Sequence, residues 1–395
     1  MKTIKGKDVK IFTDNIDKKA YDQIKNLANH EAYKDSKIRI MPDVHAGMGC
    51  TIGTTMVITD KITPNLVGVD IGCGMLTCRI DKGDIDFEKL DKVIQENIPS
   101  GFNIHKEQEL WVGIIHQLKC KDHVDLERAD LSVGTLGGGN HFIEVGESDT
   151  TGIKYLIIHS GSRRLGQEVA DYYQKLAIDK LEDKSEEVKE IIDRLKSEGR
   201  DKDIQTELNK IKKPSTFDKQ LAYLEGQDMQ DYLYDMKLVQ EYAVINRAVM
   251  AAKIFIKMEW YSDEGSNFST IHNYIDTDNM ILRKGAISAE RGERILIPIN
   301  MKDGSLVCRG LGNDDWNRSA PHGAGRLMSR SQAKDQIDLD EFKESMEGIH
   351  STSVGQSTLD EAPQAYKGMD EIIENLKGTA YVEEILKPLY NFKAH

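Results

Sequence analysis

Apolar residues in the first quarter of the chain fall into short runs that glycine-containing turns separate. Runs of this length, rich in Ile, Val and Thr, are typical of β-strands. They predict strands at residues 38–44, 51–59, 65–72 and 75–80. Residues 132–145 and 154–163 each combine a strand with a glycine-rich turn, and residues 271–330 return to strands and glycine turns.

Apolar residues at helical spacing predict helices at about 87–121, within 176–213, across 221–258 and again near the C-terminus. The segment 176–213 is dense in Lys, Glu and Asp and ends at Pro214, so we predict a protruding helical hairpin inserted in the domain. It is either a solvated insertion or a surface that contacts RNA or a partner. Strands and helices mix without a regular βαβ rhythm. We therefore expect the α+β class, as a single large domain over residues 1–395 with a mixed central sheet and flanking helices.

Composition places this chain among ordinary soluble proteins. Of its 395 residues, 39% are hydrophobic and 30% charged, and no run approaches the roughly 18 apolar residues of a membrane span. The start, MKTIKGKDVKIF, predicts no signal peptide, and five scattered cysteines favour a reducing cytoplasm. The net charge of -13 disfavours a protein held to nucleic acid by bulk charge, but it allows a local basic groove or a metal site.

The stretch VGVDIGCGM, residues 67–75, places Asp70 and Cys73 on a backbone with few other side chains. A carboxylate suits Mn²⁺ or Mg²⁺, and a thiolate can bridge two divalent ions. Glycines let the backbone fold tightly enough to aim both side chains at one point. A packed turn with a buried cysteine is the simpler alternative.

Histidines that adjoin glycines or apolar strands extend this candidate metal site. They are His141 after GGGN, His159 after YLII, and His272 in IHN. Neutral imidazole is the commonest metal ligand, and together with Asp70 and Cys73 these residues would make a mixed N/O/S site. Each histidine alone is more often a hydrogen-bonded rim residue. His45 in MPDVHAGMG is a further candidate, where Asp43 would orient an imidazole, contact a substrate or stabilise a turn.

Two glycine-rich loops point to phosphate chemistry. TLGGGN, residues 135–140, exposes backbone N–H groups but matches neither a dinucleotide fingerprint nor a Walker motif. HGAGRLMSR, residues 322–330, places His322 before a glycine turn and two arginines. His322 could act as a nucleophile that forms a phosphoramidate with a nucleotide, or the segment could be a helix cap.

Taken in order, the motifs MPDVHAGMG, VGVDIGCGM, GTLGGGNHFIEV, HSGSRRLG, IHN and PHGAGRLMSR and the terminal lysine resemble the RtcB-type RNA-splicing ligases. The resemblance covers about residues 37–393. It implies an RNA ligase that joins a 3′-phosphate or 2′,3′-cyclic phosphate end to a 5′-hydroxyl end, with GTP and two Mn²⁺ ions. It also implies guanylylation of a histidine and an RNA intermediate that carries GMP on its 3′-phosphate.

The resemblance implies a role for each matching residue. The metal ligands would be Asp70, Cys73, His141, His159 and His272, with Cys73 shared, and the guanylylated residue would be His322. The guanine nucleotide would lie among a larger set: Asn140, His141, Phe142, Ile143, Glu144, His272, Asn273, Pro298, Ile299, Asn300, Met301, Ser305, His322, Gly323, Ala324, Gly325, Tyr366 and Lys393. The RNA ends would meet Asp43, His45, Arg163 and Arg164.

The chain also departs from the family pattern. The usual PGSMG-like loop is IPINMKDGS, with Ile299 and Asn300 in place of Gly-Ser, and Ala46 replaces a frequent glutamine. These changes indicate a divergent bacterial-type branch, in which RNA repair is as good an expectation as tRNA splicing. The alternatives are a paralogue that guanylylates or hydrolyses phosphoesters without ligating, and a non-catalytic RNA-binding protein. We expect a monomer.

Overall fold

The computed structural model describes residues 1–183, 185–211, 217–262 and 264–393. Within them the strands run, in chain order, β1 (Lys2–Thr3), β2 (Val9–Ile11), β3 (Ile38–His45), β4 (Ile52–Val57), β5 (Lys61–Ile62), β6 (Gly74–Ile80), β7 (Phe142–Ser148), β8 (Lys154–Ser160), β9 (Leu224–Glu225), β10 (Phe268–Ile271), β11 (Asn273–Asp276), β12 (Ile281–Lys284), β13 (Ala286–Ser288), β14 (Arg294–Asn300), β15 (Gly304–Gly310), β16 (Ser319–Pro321) and β17 (Ala380–Lys393).

The α-helices of the same residues are α1 (Lys18–Asn29), α2 (Phe87–Asn97), α3 (Leu126–Leu131), α4 (Arg163–Glu182), α5 (Ser185–Ser197), α6 (Ile204–Ile211), α7 (Gly226–Met258), α8 (Arg330–Gln336), α9 (Leu339–Ser345) and α10 (Met369–Leu376). Several begin at a capping aspartate. In α1, for example, Asp17 Oδ1 accepts from Ala20 N at 2.9 Å, which satisfies one free N–H of the first turn. Within the described residues, no helix is both long and apolar enough to cross a membrane.

Two large sheets carry most of the strands. The first has the order β1-β2-β3-β4-β12-β11 and is mixed, because β2 and β3 are parallel. The second has the order β10-β6-β8-β7-β17-β15-β14 and is antiparallel throughout. The single α+β domain with flanking helices is therefore confirmed.

Helix α7 spans 33 residues, about 50 Å, and packs against both main parts of the core. Its N-terminal half contributes Tyr232, Met236 and Val239 to the cluster beneath the first sheet. Its C-terminal half contributes Met250 and Ile254 to the cluster beneath the second sheet. The helix thus fixes the relative position of the two sheets, and its middle lies under the predicted site.

Most strands and helices expected from the pattern are present, with three corrections. Residues 65–72 are not a strand, because a 3₁₀ turn at Pro64–Leu66 leads into a loop with left-handed glycines such as Gly68 (φ 100°). The helix expected over 87–121 ends at Asn97, just before Pro99, and only short 3₁₀ turns follow. Helix α7 begins at Gly226 rather than 221, because β9 precedes it.

The expected hairpin contains the end of α4 and helices α5 and α6, which a 3₁₀ turn at Asp201–Asp203 connects. Residue 184 and the last residues, 212–213, lie outside the described residues. The long final strand β17 had no sequence prediction. It lies in the interior of the second sheet between β7 and β15, so its pairing comes from segments far away in sequence.

Candidate metal and nucleotide site

The predicted ligand residues lie at the ends of neighbouring strands in the second sheet. Cys73 immediately precedes β6, His141 precedes β7, His159 is the second-to-last residue of β8, and His272 follows β10. The register pairs Met75 with His159 and Phe142 with His159. Because neighbouring strands run antiparallel, the start of one strand lies beside the end of the next. All four residues therefore lie at the same end of the sheet.

The side chains converge on the Cys73 thiol. Its Sγ lies 3.3 Å from His159 Nε2 and 3.5 Å from His141 Nε2. Asp70 Oδ2 lies 3.1 Å from His141 Nε2. The ligand atoms of Cys73, His141 and His159 all lie within 4.8 Å of one another and are buried, so this cluster could hold a metal ion.

Outer hydrogen bonds orient the imidazoles. His141 Nδ1 lies 2.8 Å from the Leu136 carbonyl, and His159 Nδ1 lies 3.2 Å from the Asn140 carbonyl. In the neutral ring, donation at Nδ1 allows Nε2 to bind a metal, so a cation would replace any proton that His141 Nε2 shares with Asp70. The buried Nδ1 of His272 has no hydrogen-bond partner among the described residues. The donor set therefore fits divalent cations.

The two acid groups of the cluster have different pKa shifts. Burial would raise the pKa of Asp70, but the hydrogen bond and charge of His141 outweigh it and lower that pKa to about 2. Burial and the nearby Asp70 carboxylate raise the pKa of the Cys73 thiol well above its usual value. Asp70 is thus already a carboxylate, whereas Cys73 needs a cation to stabilise its thiolate.

Two positions near the cluster must be glycine because other atoms approach their backbone closely. A Cβ at Gly161 would lie 2.1 Å from Asp70 Oδ1, and one at Gly74 would lie 2.2 Å from the Thr270 carbonyl oxygen. Both distances are far below a van der Waals contact. The sequence explained the glycines by a tight fold of the backbone around Asp70 and Cys73. The structure adds a second reason, because these glycines also leave room for a neighbouring strand and for the Asp70 side chain.

Two adjacent polar residues of α7 support the cluster from below. Asn246 Oδ1 accepts from Gly134 N at 2.8 Å and Thr135 N at 3.0 Å, which anchors the TLGGGN loop. Arg247 Nη1 donates to the Gly72 carbonyl at 2.9 Å and the Ser160 carbonyl at 2.7 Å. Sequence reasoning missed both, although polar residues inside the apolar run VINRAV were an available signal.

His322 continues the row of imidazoles. Ring centroids are 5.3 Å apart for His141 and His159, 5.2 Å for His159 and His272, and 4.9 Å for His272 and His322. The His322 Nδ1 atom lies 2.7 Å from Oδ2 of the fully buried Asp43. The Asp43 carboxylate therefore contacts the imidazole of His322. The neighbouring His45 contacts only the Asp43 backbone, with its Nδ1 3.0 Å from the carbonyl oxygen.

Beyond His322 the row opens into a cavity of about 230 Å³. It is lined by most of the residues predicted to surround a nucleotide: Asn140, Phe142, Glu144, His272, Pro298, Ile299, Asn300, Met301, Ser305, His322, Gly323, Ala324, Gly325, Tyr366 and Lys393, with His45 as well. Three predicted residues do not line it. His141 belongs to the thiol cluster, and Ile143 packs in the core. Asn273 accepts a hydrogen bond from Gly285 N and donates one to the Asp70 carbonyl.

The far wall of the cavity carries a buried carboxylate with one free oxygen. Glu144 Oε2 accepts from Asn391 Nδ2 at 2.8 Å, while Oε1 has no partner among the described residues. Burial raises the pKa of Glu144 to about 7, although the Asn391 hydrogen bond and the Lys393 charge oppose the shift. Asn391, like Glu361, Arg326, Arg330 and Gly304, lines the cavity but was not predicted.

Glu361 organises the cationic side of this wall. Its Oε2 accepts from Lys393 Nζ at 3.1 Å and from the Tyr366 hydroxyl at 2.6 Å. Arg326 Nη1 lies 3.3 Å from Glu361 Oε1. Burial would raise the pKa of Glu361, but these cations and the tyrosine hydrogen bond lower it. Lys393 is held in place by a residue that lies 32 positions away along the chain.

The divergent loop is a hairpin turn between β14 and β15. Asn300 Oδ1 accepts from Lys302 N at 2.9 Å and Asp303 N at 2.8 Å, so its side chain closes its own turn. Ser305 Oγ, in contrast, is buried without a partner among the described residues and lines the cavity. Ser305 thus supplies a free polar atom where Asn300 does not.

The two predicted RNA-end arginines differ in their surroundings. Arg163 begins α4 in a left-handed conformation (φ 58°), and its Nε donates to Thr135 Oγ1 at 3.0 Å. Its Nη2 donates to the Gly101 carbonyl at 3.0 Å. Arg164 is exposed and forms an ion pair with Glu168. The structure brings Arg163, but not Arg164, against the loop that supports the cluster.

Comparison with known proteins gives a consistent match. The family model described as tRNA-splicing ligase RtcB matches residues 23–118 and 113–394. RNA-splicing ligase RtcB of Escherichia coli K12 is 28% identical over 383 residues, covering 85% of each chain. The tRNA-splicing ligase RtcB of Archaeoglobus fulgidus is 27% identical over 467 residues, covering 95% of this chain and 91% of the relative. Since the family model spans nearly the whole sequence, the chain belongs to the RtcB family.

Proposed function

We propose that this protein is a GTP-dependent RNA ligase that joins 3′-phosphate or 2′,3′-cyclic phosphate ends to 5′-hydroxyl ends. One observation carries the proposal. His322 is held by Asp43 at the wall of a cavity, and the row of imidazoles continues from it to the Cys73 thiol. A nucleophile on the wall of a cavity that also reaches metal-binding side chains suits phosphoryl transfer.

In the first step His322 Nε2 attacks the α-phosphorus of GTP. The N–P bond forms, the bond to the bridging oxygen breaks, and pyrophosphate leaves with the electron pair. Asp43 accepts the Nδ1–H of the ring and stabilises the positive charge that develops there. The Nε2 lone pair is available because the proton is held on the other nitrogen.

Two transfers follow. An oxygen of the RNA 3′-phosphate attacks the phosphorus on His322, so a P–O bond forms and the N–P bond breaks. The 5′-hydroxyl then attacks the RNA 3′-phosphorus, its proton passes to solvent, and GMP leaves with the electron pair. A 2′,3′-cyclic phosphate is first opened by water to a 3′-phosphate.

Asp70, Cys73, His141, His159 and His272 would hold two Mn²⁺ ions. When bound, the ions supply positive charge that offsets the negative charge of the reacting phosphates. Thiolate and imidazole also suit Zn²⁺, so the ions that are loaded in the cell depend on supply.

Guanine specificity would come from the far wall of the cavity. The ionised Glu144 carboxylate can accept hydrogen bonds from the N–H groups of guanine, which adenine does not present in that arrangement. Lys393 lies near the same wall, with its Nζ 5.0 Å from the centre of the Phe142 ring. Its ammonium can donate to the guanine carbonyl oxygen.

Labelled GTP and Mn²⁺ test this function directly. We expect an acid-labile GMP adduct that forms on the protein and is discharged by RNA carrying a 3′-phosphate. His322→Ala should abolish the adduct and leave metal content near that of the unmodified protein, whereas Cys73→Ala should lower both. His116→Ala, a change at an exposed histidine, is the matched control and should alter neither.

The alternatives give different outcomes. An adduct that RNA does not discharge, or discharge without joining, would indicate a guanylylating paralogue. Absence of an adduct would indicate a non-catalytic RNA-binding protein, and an adduct on the His322→Ala variant would refute the choice of nucleophile. We expect the enzyme to act as a monomer in the cytoplasm, in RNA repair or tRNA splicing.

A further inference from the structure

Phe102 is a large apolar side chain that lies almost entirely in solvent. It is 95% exposed, yet its loop is firmly held. Gly101 N donates to the Gly137 carbonyl at 2.8 Å, and Asn103 N donates to the Ser100 carbonyl at 3.2 Å. A fixed loop that presents an uncovered aromatic ring is a common arrangement for stacking a ligand.

Two guanidinium groups flank this aromatic residue. Arg163 Nη2 donates to the Gly101 carbonyl at 3.0 Å, and Arg128 Nη2 donates to the next carbonyl, that of Phe102, at 3.0 Å. Among the residues that the structure describes, the two guanidinium groups donate to backbone carbonyls and to Thr135 Oγ1, and the buried Arg128 Nε has no partner. The Asp70 carboxylate attracts the Arg163 charge, but two neighbouring guanidinium groups in a chain of net charge -13 still favour an anionic ligand.

The loop adjoins the His141 end of the imidazole row. The Pro99 carbonyl accepts from Leu136 N at 2.9 Å, and Leu136 in turn binds His141 Nδ1 through its carbonyl. A Cβ at Gly137 would lie 2.7 Å from His141 Nδ1 and 1.7 Å from Arg163 Nη1, so this backbone lies directly against both side chains. His141 does not line the nucleotide cavity, whereas His159, His272 and His322 do.

We propose that Phe102 stacks the terminal base of the 5′-hydroxyl RNA strand, with Arg128 and Arg163 beside its phosphates. The inference rests on the proposed ligase function and adds to it the site of the second substrate. In an in-line transfer, the attacking and leaving oxygens lie on opposite sides of phosphorus. GMP leaves toward the His322 cavity, so the 5′-hydroxyl approaches from the opposite end of the row, where Phe102 lies.

The test separates the two RNA strands. The Phe102→Ala variant should form the His322 adduct and transfer GMP to a 3′-phosphate strand at unchanged rates, because neither step uses the 5′-hydroxyl strand. In the joining step, its KM for that strand should rise about tenfold to hundredfold, the usual effect of losing one base-stacking aromatic. Phe102→Trp should keep a low KM. Tyr261→Ala, which removes a ring that is 75% exposed beyond the other end of β6, is the matched control.

A substrate change completes the test. An abasic 5′-terminal nucleotide should raise the KM of the unmodified protein as much as Phe102→Ala does, and should raise that of the variant no further. An unchanged KM in Phe102→Ala, additive effects of the two changes, or slower GMP transfer to the 3′-phosphate strand would each overturn the proposal. Binding of a strand with 2-aminopurine at its 5′ end gives a readout that does not need ligation. Fluorescence that is equal for unmodified protein and Phe102→Ala would refute stacking even if the ligase function itself failed.

Discussion

At the scale of single residues, the reactivity that we propose for His322 would depend on one buried carboxylate. The contact between His322 Nδ1 and Asp43 Oδ2 spans 2.7 Å and joins residues that are 279 positions apart. Both residues were candidates from the sequence, and an orienting role for Asp43 was one of three interpretations. The imidazole that it meets could not be predicted, because local spacing carries no information on contacts at that separation.

Replacing Asp43 tests this orientation. Asp43→Ala leaves the proton of the ring free to occupy either nitrogen, so we expect the single-turnover rate of GMP adduct formation to fall at least about tenfold. Asp43→Asn keeps the shape of the side chain, but its amide N–H can face Nδ1 and favour the wrong tautomer, so it should also react slowly. Metal content should not change in either variant, since Asp43 is not among the predicted ligands. An Asp43→Ala protein that reacts at the normal rate would rule out the orienting role.

Glu144 gives a pH dependence whose sign follows from its surroundings. Burial raises the pKa of this carboxyl to about 7 in the free protein, so at pH 6 it is mostly protonated and cannot accept from guanine. Binding guanine favours the ionised form and lowers that pKa in the complex. Affinity for guanine should therefore rise with pH and level off above about pH 8.

The measurement compares GMP with AMP, which carries the same phosphate and so cancels its titration. Between pH 6 and pH 8 the ionised fraction of a carboxyl with a pKa near 7 rises about tenfold. The preference for GMP over AMP should rise by a similar factor. Glu144→Gln should show a weak preference at every pH, and a preference in the unmodified protein that is flat across this range would contradict the assignment.

At the scale of secondary structure elements, α7 is the support on which the site is assembled. Its periodic pattern predicted a long helix, which is confirmed apart from the first few residues. The pattern did not distinguish the buried Arg247 from a surface arginine. Arg247 joins the loop before β6 to the end of β8, because its Nη1 donates to the carbonyls of Gly72 and Ser160.

Arg247→Met should therefore damage both stability and the metal site. Two buried carbonyl oxygens would lose their donor, which costs about 1–3 kcal/mol for each. Loss of the nearby positive charge would also make the adjoining Cys73 thiolate and Asp70 carboxylate less favourable. Thermal unfolding and metal analysis measure the two effects. Lys257→Met, at an exposed position of the same helix, should leave both unchanged, and equal behaviour of the two variants would remove this role from Arg247.

At the scale of the whole molecule, the proposed ligands come from segments between residue 70 and residue 272. Without a bound cation, only the packing of the core holds these segments together. A cation that binds the folded form and not the unfolded chain stabilises by mass action, by about 2.7 kcal/mol when its concentration is 100 times Kd. Mn²⁺ should therefore raise the unfolding temperature, and a chelator should reverse the shift.

Cysteine variants make this prediction specific. Cys73→Ala should lose most of the Mn²⁺-dependent shift in unfolding temperature. Cys78→Ala removes a similar buried thiol from β6 and should lower stability while keeping the shift. A Cys73→Ala protein that Mn²⁺ stabilises as much as the unmodified protein would show that the cation binds elsewhere.

The sequence by itself determined the family, the α+β class, most strands and helices, and the residue types from which the site is made. These follow from periodicity, turn residues and ordered motifs, all of which are local properties. Only the tertiary structure decided that Asp43 meets His322, that Arg247 lies beneath the thiol cluster, and that Glu361 and Asn391 complete the cavity. It also decided that the C-terminal segment is an interior strand. These contacts join residues that lie 32 to 279 positions apart, and packing of the whole chain selects them.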